Sequence, residues 1–264
     1  YSLVNGPIGG GSGAVYVMLL GFLIVAMSDF FEGLAPPTDS DSLAYHFALP
    51  KQFIQEGRLV FLPRANDGAV PLLQQMTFLV ALKLGGEKAL TLWAMLTGWA
   101  AGFIMYTLLR RHVSTTAALA ATLVFMTTPA IIYGAGSGQV EIRNTMFVMV
   151  GAAAVAEALR SDNWRYAALA GVAAGFYAGS KYPGLLFAFA CGAALLFRYR
   201  WLTKSAVYTI FLVVAGSQWY LWNWLHTGDP VFPMLYAYLD YIPGVPWNAL
   251  QDAYYHTAYD GAKK

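Results

Sequence analysis

Charge is what this chain has least of: 11% of its 264 residues are Asp, Glu, Lys or Arg, against about 25% in an ordinary soluble domain. With 58% hydrophobic residues, such a chain belongs in a bilayer. Its one cysteine, Cys191, lies in an apolar run, so there is no disulfide framework and no cysteine-based metal site to read. His46, His226 and His256 follow no zinc or di-iron spacing, and no carboxylate-rich helix pair accompanies them, so no metal ligand set is assigned and a divalent ion stays an open question. A net charge of +2 gives no reason to expect nucleic acid. No basic region precedes the first apolar segment, which argues against a cleaved signal peptide. Residues Asn5 to Gly13 are linker-like, and the chain reads as processed or incomplete at its start. Repeats, heptads and low-complexity tracts are lacking as well, and with no inverted repeat a transporter has little support.

What is present is a series of apolar stretches near the roughly 18 residues that cross a bilayer as a helix. Ala14–Phe31, Ala89–Leu109, Thr116–Tyr133, Asn144–Leu159 and Ser205–Leu225 read as spans. Tyr166–Phe197 would be about 48 Å long as one helix, too long for one crossing, and Ser180-Lys181-Tyr182-Pro183-Gly184 divides it into two short spans. Val70–Leu84 is short and begins beside a proline. If it does not cross, the loops holding Arg110, Arg111, Arg160, Arg165, Arg198, Arg200 and Lys204 share one side, with a balance of +5, and the remainder carries −3. That asymmetry fits the positive-inside rule. The expectation is an all-α integral membrane protein of about seven transmembrane helices. It forms one transmembrane domain over residues 1–264, with a first external loop at 32–69 and an external aromatic and proline-rich tail at 226–264. Ser42–Gln55 would be a juxtamembrane helix stopped by Gly57. Gly151, Gly171, Gly175 and Gly179 would allow close helix contact.

This topology gathers four polar clusters on the external face: Asp39 and Asp41; Gln139, Glu141, Arg143 and Asn144; Lys181-Tyr182; and Asn223, His226 and Asp229. In loop one, Asp41, Tyr45, His46, Pro50 and Lys51 spell Asp-x-x-x-Tyr-His followed by Pro-Lys. Arg110-Arg111 ends one span, Thr127-Thr128-Pro129 bends the next, and Glu141 follows it. Lys181-Tyr182-Pro183-Gly184-Leu185-Leu186 forms a later turn, and Asn223 opens a stretch running through Gly228-Asp229-Pro230 to Pro233. In this order the motifs resemble bacterial membrane glycosyltransferases of the GT-C fold, close to the protein O-mannosyltransferase and aminoarabinose-transferase branch (glycosyltransferase family 39-like). The resemblance spans about residues 14 to 240. Glu141 stands where aspartate is commoner in that family, and Asp229 where asparagine is usual.

The resemblance implies transfer of a sugar from a polyprenyl-phosphate carrier, with inversion, at the outer face of the bacterial inner membrane. It implies a multi-pass chain whose partners are membrane lipids and the lipid-linked sugar, which is substrate and not cofactor. Asp41 fills the position of the catalytic base and Glu141 that of an auxiliary acid; Asp39, Tyr45, His46, Lys51, Arg143, Lys181, Tyr182 and Asn223 are the candidate substrate-binding residues. Each has a plainer reading. Asp41 could be a solvated helix cap, with Asp39 the better candidate for that role; Glu141 could pair with Arg143; Lys181 could snorkel. Lys51, Arg58 and Arg64 could bind headgroups. Family members generally run longer, so the chain would be such a transferase or its amino-terminal catalytic half. The alternative is a transferase-derived, non-catalytic subunit that assembles with membrane protein partners.

Overall fold

The computed structural model describes residues 12–62, 69–197, 201–239, 245 and 247–261. Arg64, Arg198 and Arg200, the side chain of His256 and most of the opening glycine-rich stretch lie outside the described residues. Within them the chain is helical and contains no strand.

Helix α1 (Ser12–Leu34) is 23 residues long, and Val17, Leu20, Leu23 and Ile24 along it are exposed. Exposed leucines and isoleucines in such number mark a surface made for lipid. Past Pro36-Pro37 the chain turns back through a short π-helical turn at Ser42–His46 and helix α2 (Ala48–Glu56), which Gly57 ends in the left-handed conformation. The single helix expected over Ser42–Gln55 is therefore two pieces. Pro50 falls in the first turn of α2, where its missing N–H costs no helical bond.

Helix α3 (Leu73–Leu109) joins the doubtful segment to the span after it, but not smoothly: Gly85 and Gly86 leave helical geometry, Gly86 at φ 70° and ψ −164°. Only glycine occupies that region without strain. Thirty-seven residues would make a rod about 55 Å long. The break, flanked by exposed Lys83, Glu87 and Lys88, separates an outer arm from a membrane-length segment.

Thr116–Tyr133 is not one straight span: α4 (Thr115–Met126) and α5 (Pro129–Gly136) meet at 75° across Thr127-Thr128. Pro129 starts the second piece because it cannot continue the first. Helix α6 (Glu141–Arg160) follows, then α7 (Trp164–Ser180) and α8 (Pro183–Leu195), parted at Lys181-Tyr182 as expected. Ser205–Leu225 likewise divides, at Ser217, into α9 (Trp201–Gly216) and α10 (Gln218–Thr227). A 3-10 turn (Tyr236–Leu239) and α11 (Ala249–Gly261) lie beyond. Among the described residues three helices, α1, α3 and α6, are long and apolar enough to cross a membrane, and the bent α4–α5 pair makes up to four; α8 and α9 are apolar but shorter.

Helix α7 is the axle of the bundle. Ala167, Ala170, Gly171, Ala174, Gly175 and Ala178 are buried along it against α6, α8 and α9. Small residues let helix backbones approach, the main source of helix association where lipid removes the hydrophobic drive. At the α7–α9 crossing, a Cβ on Gly216 would fall inside van der Waals contact with the carbonyl of Gly175. Gly216→Ala is expected to destabilise the bundle by about 1–3 kcal/mol through overpacking, read as a lower thermal midpoint in detergent. An unchanged midpoint would mean that α9 slides freely past α7.

The bundle has two distinct ends. At the close of α6, Glu157 lies 3.9 Å from both Arg111 and Arg160. The buried Lys204 ammonium there donates to the carbonyls of Ala158 and Ser161 at 2.7 Å, capping the helix as a cation at a C-terminus should. The opening of α6, about 30 Å away along its axis, holds the candidate site.

Candidate active site

The site is assembled from four segments far apart in sequence. Asp39 Oδ1 accepts the backbone N–H of Ser42 at 2.8 Å and so caps the π-helical turn. Asp41 next to it makes no capping bond; Gln139 Nε2 donates to Asp41 Oδ2 at 3.4 Å. Ser42, fully buried, accepts the N–H of Gly138 at 2.9 Å. Loop one is thereby docked on the turn between α5 and α6. The fit is close: a Cβ at Gly138 would meet the Phe47 ring at 2.7 Å.

From the same turn, Glu141 opens α6 and forms an ion pair with Lys181 at the α7–α8 turn. Both groups are partly exposed, at 53% and 37% of their side-chain surface, so the pair is weak and open to exchange. This removes the plainer reading of Glu141. Its partner is Lys181, and Arg143, two residues on, is fully buried with its donors taken up by Thr97 Oγ1 and by main-chain carbonyls of Ala94, Gly134, Ser137 and Gln139. Arg143, expected to bind substrate, instead braces α3, α5 and α6 from within, since a guanidinium with no accessible surface cannot meet a ligand.

His46 is also fully buried. Its ring packs against Tyr45 at 4.0 Å between centroids, and Nδ1 accepts from Gln75 Nε2 at 2.8 Å. Nε2 is buried without a partner among the described residues. Burial, with Lys181 and Arg143 nearby, pushes the imidazole down to about 3, so the ring is neutral at physiological pH. Asn223, buried at the last turn of α10, donates to the carbonyl of Ala69 at 2.8 Å and to Tyr182 Oη at 3.2 Å. Tyr182 Oη in turn donates to the carbonyl of Phe232 at 2.6 Å. These two expected ligands thus tie the tail to the α7–α8 turn. Asp229 folds the tail itself, accepting the N–H groups of Val231 and Leu235 at 2.8 and 2.9 Å; burial holds its carboxyl above the usual range despite those bonds.

Lys51 stands apart from this group, paired with Glu87 just past the break in α3. Both line a cleft of about 330 Å³ with apolar walls from Pro36, Pro37, Leu43, Phe47, Leu82 and Leu90. Ser42 forms part of its lining, so the cleft begins one residue from Asp41. Arg58 is exposed in the segment after α2. Among the described residues no group of three or more His, Cys, Asp or Glu side chains could hold a metal ion.

The structure therefore brings Asp41, Glu141 and Lys181 to one end of the bundle and turns Arg143, His46 and Asn223 inward as its supports. Sequence comparison adds the decisive observation: a family model described as dolichyl-phosphate-mannose-protein mannosyltransferase matches residues 69–222, more than half of the chain. The chain belongs to that mannosyltransferase family. No curated protein and no solved structure matches it. The protein is a membrane glycosyltransferase of the mannosyltransferase type. The match contains Glu141, Lys181 and Tyr182 but stops short of Asp39, Asp41, Tyr45, His46 and Lys51 on one side and Asn223 on the other. Loop one joins the mannosyltransferase segment through the contacts of Asp41, Ser42 and His46 with Gln139, Gly138 and Gln75. None of the three contacts was read from sequence. Gln75 could have been flagged as a polar residue in an apolar segment, but nothing marks Ser42 for Gly138, 96 positions away.

Proposed function

We propose that this mannosyltransferase-family chain moves a sugar from a polyprenyl-phosphate carrier to a nucleophilic acceptor, with inversion, at the external face of a bacterial inner membrane. The observation that supports the reading is that Gln139 ties Asp41 to the turn before α6, the helix whose first residue, Glu141, pairs with Lys181, at the end of α6 opposite its basic end. Asp41 takes the acceptor's proton as the new bond to the anomeric carbon forms and the bond from that carbon to the phosphate oxygen breaks. Lys181 receives the departing phosphate, whose charge grows as it leaves. Glu141 orients the acceptor, and its exposed pairing with Lys181 is one that a phosphate can displace. Under the positive-inside rule the end with Arg110, Arg111, Arg160 and Lys204 is cytoplasmic. Seven crossings follow if α4–α5, α7, α8 and α9–α10 each cross and the outer arm of α3 does not.

The test uses purified protein in lipid vesicles, a set of radiolabelled polyprenyl-phosphate sugars and a membrane extract as the source of acceptors. Label is expected to leave one of the donors; no transfer from any donor would overturn the reading and favour a non-catalytic subunit. Lys181→Met is expected to raise the donor KM about tenfold or more, the range for losing a charge-assisted contact, with a smaller change in kcat. An unaltered donor KM would remove Lys181 from the phosphate site.

A further inference from the structure

Gln139 has no assigned part in the chemistry, yet its two ends touch the two most constrained features of the site. Its backbone is fixed from below: the carbonyl accepts from the buried Arg143 guanidinium, and the N–H donates to Ser137 Oγ at 3.3 Å. Its side chain reaches outward, and Nε2 donates to Asp41 Oδ2 across 98 positions of sequence. The neighbouring Gly138 N–H holds Ser42, the residue after Asp41, at 2.9 Å. One short turn thus grips the loop beside the carboxylate and the carboxylate itself. Gln139 donates at 3.4 Å to Oδ2 of Asp41 and not to Oδ1.

We infer that Gln139 is the positioning residue of this transferase: it aims Asp41, on a loop outside the family match, at a site built from residues within it. The inference rests on Asp41 being the base. An amide donor suits the task because it holds a carboxylate without competing for its proton, whereas a charged residue there would alter the base itself.

The experiment compares the parent, Gln139→Ala, Gln139→Glu and Asp41→Asn in the vesicle transfer assay across pH. Gln139 is only partly buried, and the thermal midpoint of each variant is measured alongside. Gln139→Ala is expected to lower kcat about tenfold with donor KM and midpoint unchanged. Gln139→Glu sets a second carboxylate against Asp41 and is expected to move the acid limb of the kcat profile up by about one to three pH units. A purely structural residue would not move that limb. Full kcat in Gln139→Ala, or an unmoved limb in Gln139→Glu, overturns the inference. If Asp41→Asn abolishes transfer while both Gln139 variants behave as the parent, the base stands and only its positioning by Gln139 falls; if Asp41→Asn remains active, the base reading has failed first.

Discussion

Asp41→Asn is expected to reduce kcat by about 10²–10⁴-fold, the range contributed by a positioned general base, while the donor KM changes little. The substitution suits the site because asparagine keeps the shape of the side chain, and its amide oxygen can still accept from Gln139. What it loses is the capacity to take a proton. Asp39 is the internal control: its carboxylate is committed to the Ser42 N–H, and because asparagine caps about as well as aspartate, Asp39→Asn is expected to leave local stability nearly unchanged and to cost much less in kcat. Single-turnover transfer by both variants, with donor binding measured separately, distinguishes the roles. Equal loss in the two variants would mean that the loop needs both acids for its shape, and the base would have to be sought elsewhere, Glu141 first.

The composition of the chain foretold helices in a membrane, and the breaks in those helices were only partly legible. Pro183 divides α7 from α8 as read, because a lysine and a proline together leave an apolar run little choice. The bend at Thr127-Thr128-Pro129 was visible as a motif, but a proline also sits inside kinked helices, and sequence alone does not set a 75° angle. Nor does it show whether Val70–Leu84 stops or runs on. The answer lies in Gly86, whose backbone conformation is a property of the folded chain. Seven crossings would require α7, α8 and α9–α10 to cross beside α1, α3, α6 and the bent α4–α5 pair.

For the site, side-chain chemistry did not sort exposed groups from buried supports. Lys181 and Glu141 are polar residues at helix breaks, and they meet there. Arg143 and Asn223 have the same appearance in sequence, yet both lie inside the bundle, where Arg143 donates to carbonyls at the end of α5 and Asn223 to the carbonyl of Ala69. A residue two positions from an exposed glutamate on a helix points well away from it, so Glu141 outward places Arg143 inward. That geometric consequence was available once α6 was known to begin at Glu141, and not before.

Arg143→Met is expected to be the most destabilising single change in the chain. Burying a guanidinium that forms no ion pair among the described residues is costly, and an apolar replacement of similar length relieves that cost. The opposing effect is larger here. The carbonyls of Gly134, Ser137 and Gln139, at the end of α5 and in the turn beyond it, take their bonds from Arg143, and each one left unpaired in the interior costs about 1–3 kcal/mol. Thr97 Oγ1 loses its bond as well, and the Phe78 ring loses the cation 5.5 Å from its centroid. The net loss should be about 3–5 kcal/mol, a large part of the whole stability of a domain. Arg143→Lys keeps the charge but replaces a fork of five donors with three on a flexible stem, and should fall between Met and the parent. Thermal unfolding in detergent, followed by size-exclusion recovery, measures the order parent, Lys, Met. If the Met variant instead melts at or above the parent, the buried charge costs more than its bonds return, and Arg143 would be retained for holding Gln139 beneath Asp41 rather than for stability.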